Sequence, residues 1–180
     1  MNLTETYYLK AHNQFPHDLE ECIENLNYAL SYDPEYAPAL CLKGRIYCDE
    51  IKNYALADEY FSKALAADLI YPETFIHYAK LLLTLEKHDE LAVLLEQGLK
   101  VPGVDKSNLY HTKGLANEQQ GKFDEALELF HKALRFSFNS EMDEFLGTEI
   151  KRIEGKQKKL KRKKIVKAKF KSQWVKTYSY

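Results

Sequence analysis

The side chains able to hold a metal or move a proton are six histidines (His12, His17, His77, His88, His111, His131), three cysteines (Cys22, Cys41, Cys48) and abundant carboxylates. No histidine pair has H-x3-H or HExxH spacing, and none stands at ligand spacing from a cysteine. No glycine-rich phosphate loop is present, the glycines being isolated ones at helix positions. Carboxylate pairs such as Glu20/Glu21 and Asp124/Glu125 fall where helices are predicted to begin. There they complement the helix dipole and are solvated, which is a structural role rather than acid–base chemistry. The residue types therefore predict a non-catalytic protein without metal or cofactor.

The cysteine number is odd, and Cys41 and Cys48 lie seven apart on one predicted helix, roughly 10 Å at about 1.5 Å per residue, too far to bridge. This predicts free thiols in a reducing compartment. The first residues, MNLTETYYLKAHNQ, lack a basic and then apolar leader pattern, and no run approaches the ~18 apolar residues of a spanning helix. The expected location is cytoplasmic. Hydrophobic residues make up 45% and aromatics 13%, enough for a folded core.

What must position these residues is a repeat. Gly114 to Leu134 reads as helix, turn at Gly121-Lys122, helix. Steps of about 35 residues recover its second-helix positions: Ala133 matches Gly98, Ala64 and Ala29; Phe130 matches Leu95, Phe61 and Leu26; Ala126 matches Leu91, Ala57 and Cys22. First-helix positions recur likewise, Gly114 with Ala79, Gly44 and Ala11, and Tyr110 with Phe75, Leu40 and Tyr7. A lysine precedes the small residue at Lys10, Lys43 and Lys113. Gly44 inside a helix costs about 1 kcal/mol against alanine, which predicts that another backbone approaches it. A turn one residue longer than the others is expected at Ile51-Lys52-Asn53, and Leu81–Leu83 with Leu91–Leu95 make the third unit the most apolar. A capping signal is read at Ser140, ahead of a helix with Met142, Phe145, Leu146, Ile150, Ile153 and Leu160 at helical spacing, whose first half should cover the fourth unit.

A period near 34 residues with helix–turn–helix content is a solenoid signature. Ala57-x3-Phe61-x2-Ala64 and Ala126-x3-Phe130-x2-Ala133, with the first-helix small residue four after an aromatic, resemble the tetratricopeptide repeat family over residues 3–138. The closing proline appears as Pro34 and, shifted, as Pro72 and Pro102; Phe138 replaces it after the fourth unit. The resemblance implies an all-α, right-handed helical solenoid with repeats at about 3–34, 37–69, 72–101 and 106–138. An array over 1–138 is then followed at 139–180 by a capping helix running into a long basic C-terminal helix. It also implies a concave groove, lined by first helices, that holds a protein or peptide partner. The outward positions there are Tyr8, His12, Cys41, Arg45, Cys48, Ile76, Lys80, Leu83, His111 and Leu115. Tyr8, His12 and Cys41 stand at places corresponding to those where carboxylate-gripping members carry lysine, asparagine and arginine, so a two-carboxylate clamp is not expected, although Arg45 and Lys80 could pair with an acidic group.

The net charge of −1 hides an asymmetry. Residues 151–180 hold 13 of the 26 basic residues and one of the 27 acids, Glu154, for +12; the rest carries −13. Lys158, Lys159, Lys161, Arg162, Lys163, Lys164, Lys167 and Lys169, with Trp174 among them, form a solvated charge run, a contact for nucleic acid or ribosome, or a surface for acidic membranes or acidic proteins, this protein's own body included. A scaffold or adaptor using its groove is the favoured function, and a nucleic-acid-associated protein using its tail is the alternative.

Overall fold

The computed structural model describes residues 2–177, with side chains described except for Lys164 and residues 168–177. Among the described residues there are nine α-helices and no strand: α1 (Leu3–Gln14), α2 (Leu19–Tyr32), α3 (Ala37–Arg45), α4 (Tyr54–Ala67), α5 (Pro72–Thr84), α6 (His88–Gly98), α7 (Lys106–Gln119), α8 (Phe123–Arg135) and α9 (Ser140–Thr177). The helices pair as antiparallel hairpins α1/α2, α3/α4, α5/α6 and α7/α8. Each first helix also packs on the first helix of the next hairpin, α1 on α3, α3 on α5 and α5 on α7. α9 packs on α8.

Local chemistry sets the helix boundaries. Side chains of Asn2, Asp18, Asn53 and Asp105 accept from the backbone N–H three residues on, capping α1, α2, α4 and α7. α3 and α5 instead carry proline in their first turn, where no N–H is missed. Ser140 does not cap α9: its neighbour Asn139 accepts the Met142 N–H at 2.7 Å, one residue earlier than the sequence suggests. Between first and second helices the chain turns through a positive φ at Lys52 (59°), Glu86 (55°) and Gly121 (74°). The first such turn differs, containing a cis Phe15–Pro16 peptide.

The expected longer turn after α3 is instead absorbed inside the helix. Ile46–Glu50 forms a π-helical continuation of α3, closed by Ile51 N–H to the Ile46 carbonyl at 3.0 Å. An extra residue in the helix swells one turn and leaves the register of the following hairpin intact.

Small residues meet large ones between the helices of a hairpin. A Cβ at Gly44 would lie 2.7 Å from the Phe61 ring, and one at Gly114 would lie 2.5 Å from the Phe130 ring. The close neighbour of Gly44 is thus a buried aromatic ring rather than the expected backbone. Gly98 similarly receives Phe75 and Leu109 from the two flanking first helices. The largest core cluster joins the second and third hairpins through Phe61, Phe75, Leu81, Leu82, Leu91 and Leu95 and reaches Leu109 of α7; another joins the first hairpin to α3 and its continuation through Leu26, Leu42 and Ile46. Leu146, Ile150 and Ile153 of α9 are buried, the latter two beside Phe130, so the first half of α9 covers the fourth hairpin as expected. Phe145 and Leu160 stay exposed.

Candidate functional site

First helices α1, α3 and α5 bring four of the sequence-predicted groove residues together. Tyr8 and His12 from α1, and Cys41 and Arg45 from α3, line a cavity of about 240 Å³ with Pro38, Leu42, Tyr71 and Glu73. Arg45 and Glu73 are its charged residues. The guanidinium lies over the Phe15 ring, 4.8 Å from the centroid, and its Nε is buried without a hydrogen-bond partner. No carboxylate among the described residues lies within 4.0 Å of it. Burial raises the Tyr8 and Tyr71 phenols above their ordinary range, so both stay neutral hydrogen-bonding groups. Tyr8 is held edge-on by Tyr36 at 5.5 Å.

Cys41 is a wall of this cavity, not an outward anchor, being only 2% exposed. Burial pushes its thiol up to about 12, against the smaller opposing effect of the Thr74 hydroxyl, so it is an inert packing group. Cys48 is buried too and pushed up to about 11. His77, one residue beyond predicted Ile76, lies near both Arg45 and Lys80. Burial first, then those two cations, lower its pKa to about 3. Its 3.9 Å approach to Glu73 therefore joins a carboxylate to a neutral ring and is no ion pair at neutral pH.

Lys80, Leu83 and His111 converge in a second region. With Thr84, Asn108, Thr112, Leu115, Met142 and Phe145 they line a cavity of about 350 Å³ between α5, α7 and α9. Leu83 and Leu115 also line an adjoining one of about 480 Å³ with Glu118, Gln119, Phe123, Arg152 and Lys156. Ile76 lines neither and is half-buried. His111 sits between Phe130 (5.5 Å) and Phe145 (5.2 Å), and burial lowers its pKa despite Glu149 3.9 Å away.

α9 makes one wall of this second region, and the sequence did not point to that. Arg152 forks onto Glu118 and Glu149, its Nη2 donating to Glu118 Oε2 at 2.6 Å and to Glu149 Oε2 at 2.7 Å; Lys156 adds a bond to Glu118. Arg152 holds both carboxyl groups below the usual range. Tyr71, Glu73, Phe145 and Arg152 line these cavities from outside the first-helix positions that the repeat pattern marks, so spacing within the repeat carries no signal for them.

Among the described residues no His, Cys, Asp and Glu group could hold a metal ion, and no helix is long and apolar enough to cross a membrane. Lys158, Lys159, Lys161, Arg162, Lys163 and Lys167 are exposed on α9; the side chains of Lys164, Lys169 and Trp174 lie outside the described residues.

Stacked helical hairpins with a continuous face of first helices define a helical-repeat solenoid. Two segments, residues 37–70 and 107–139, match family models described as tetratricopeptide repeat, so the chain carries tetratricopeptide repeats there. Its fold is similar to that of PilF from Pseudomonas aeruginosa, at TM-score 0.77 and 23% identity over 87% of this chain and 70% of that one. It is also similar to PilW, a type IV pilus biogenesis factor, at TM-score 0.69 and 21% identity over 75% of this chain and 62% of that one. Yeast Tom70 aligns at TM-score 0.73 and 20% identity over 86% of this chain, which spans 34% of Tom70. No curated protein sequence matches this chain.

Proposed function

We propose that this chain is a non-catalytic interaction scaffold whose concave face binds a segment of a partner protein. The observation that carries this reading is the Arg45 guanidinium, set in a cavity with a buried Nε that has no partner. A partner carboxylate there would gain a charge-assisted hydrogen bond that the free protein leaves unmade. The basin around Leu83, Leu115 and Phe145, with Lys80 at its edge, would take apolar side chains from the same segment. In this division of the chain, residues 1–138 form the array and α9 completes its groove before continuing as a basic extension. A preformed surface lowers the ordering cost of an extended ligand, and a few anchors set its register.

A phage-displayed random peptide library panned on the full chain tests this. Selected peptides are expected to share an acidic residue and at least one bulky apolar residue. Arg45→Ala should weaken them at least tenfold in fluorescence anisotropy, with an unchanged melting temperature. Peptides that bind Arg45→Ala and Leu83→Ala as tightly as the native chain would place binding elsewhere.

A further inference from the structure

The far half of α9 stands apart from the groove. The hydrogen bond from Gln157 to Asp124 on α8 is the last that α9 makes to the body among the described residues, and α9 extends to Thr177. The twenty residues from Lys158 onward span roughly 30 Å at about 1.5 Å per residue. Glu154 is the last acid in the sequence, so no carboxylate within this stretch can neutralise its cations.

The distribution of those cations decides what they fit. At about 100° per residue, Lys158, Arg162, Lys159, Lys163, Lys167 and Lys161 fall near 0, 40, 100, 140, 180 and 300° around the axis. All six are exposed. The exposed apolar residues Val166, Leu160 and Ile165 fall near 80, 200 and 340°, on three different sides. A helix lying on a membrane needs an apolar face opposite a charged one, and a helix on an acidic protein needs its cations on one side. This helix has neither arrangement. Positive charge spread over about 240° of the helix, with Lys158 and Arg162 on one flank and Lys163 and Lys167 on the other, is matched by a groove with phosphate ridges on both flanks. The B-form major groove, about 12 Å wide, admits a helix of about 10–12 Å diameter, whereas the A-form major groove is too narrow. The −13 body would be repelled by the same polyanion, which confines contact to the extension.

We propose that α9 beyond Gln157 is a docking element for B-form duplex DNA, bound through phosphates without base readout. It is independent of the groove reading, since none of its residues lines any of the three cavities described above.

The test is fluorescence anisotropy of the full chain with a labelled 20-base-pair DNA duplex. Binding is expected at 50 mM salt and should weaken on the order of 10³-fold at 200 mM if about six phosphates are neutralised. Replacing all six described cations by glutamine should abolish it without lowering the melting temperature, since none of them contacts the body. The pairs Lys158→Gln/Arg162→Gln and Lys163→Gln/Lys167→Gln, on opposite sides of the helix, should each weaken binding by similar factors, on the order of tenfold per charge at 0.1 M salt. Absence of duplex binding at 50 mM salt, or retention of binding by the six-glutamine variant, overturns the proposal. So does loss confined to one of the two pairs. Equal or tighter binding to an RNA duplex, to poly-glutamate, or to phosphatidylcholine–phosphatidylserine vesicles overturns the assignment to B-form DNA.

Discussion

Gly114 and Phe130 occupy one space, and the ring fills the volume a methyl group would need. Gly114→Ala gains about 1 kcal/mol of helix propensity but overpacks a fully buried ring, a cost of about 1–3 kcal/mol, so net destabilisation is expected in urea unfolding. Gly114→Ala combined with Phe130→Leu should recover part of the loss, because the shorter side chain yields. Glu86 holds a left-handed conformation at the turn where the fourth hairpin uses Gly121. Glu86→Gly is expected to raise stability by up to about 1 kcal/mol by the same assay, since the left-handed region penalises a Cβ. The lysine that precedes the small residue also gains an explanation. Lys43 donates to Asn27 at 2.8 Å and lies over the Tyr60 ring at 4.9 Å, and Lys10 lies over Tyr7 at 5.2 Å. Lys43 is buried and its charge meets a π face and an amide, while exposed Lys10 meets a π face alone.

Helix α9 is held to the array by burial and by charge together. Ile153 is fully buried in the cluster that contains Phe130, and Arg152 ties Glu118 of α7 to Glu149 of its own helix. The two carboxyl groups have depressed pKa values in the folded chain, so their contribution is complete above the ordinary value of 4.5 and is lost as pH falls through the folded values. His77 and His111 act in the same direction. Each has its pKa lowered by burial in the folded chain, so below the ordinary 6.5 the unfolded chain takes up protons first and stability drops. Unfolding free energy is therefore expected to decline from pH 7 to pH 4, and Glu118→Gln should flatten the part of that decline below about pH 5. Ile153→Ala should cost about 2–5 kcal/mol, the range for removing a buried aliphatic side chain. An unchanged urea midpoint for Ile153→Ala would mean that α9 does not hold the end of the array.

Across the whole molecule, stability follows the stacking. One core joins the first hairpin to α3 around Leu26, Ala29 and Ile46, while another spans the second and third hairpins and reaches α7. In a solenoid each unit leans on its neighbours, and a terminal unit leans on one side only. Amide hydrogen exchange is expected to be fastest in α1 and α2 and slowest in α5 and α6, with Leu26→Ala speeding the first hairpin more than the third. Uniform exchange across the four hairpins would contradict that order. The charge distribution acts at the same scale: an acidic body and a cationic extension give one chain two surfaces with opposite electrostatic preferences.

The period of small and bulky residues was legible in the sequence because packing between neighbouring helices repeats in every unit and constrains the same positions each time. From it came the hairpins and the packing role of Ala57, Phe61, Ala126 and Phe130. Charge counting likewise located the basic end without any structure. The tertiary structure decided what the repeat leaves free. It turned the extra residue after α3 into a π-helical turn, moved the α9 cap to Asn139 and buried Cys41 and Cys48 beyond use. It also separated Arg45 from Lys80, Leu83 and His111 into two regions and brought Arg152 onto Glu118. These outcomes depend on groups far apart in the chain, whose distances and desolvation arise only when the hairpins stack.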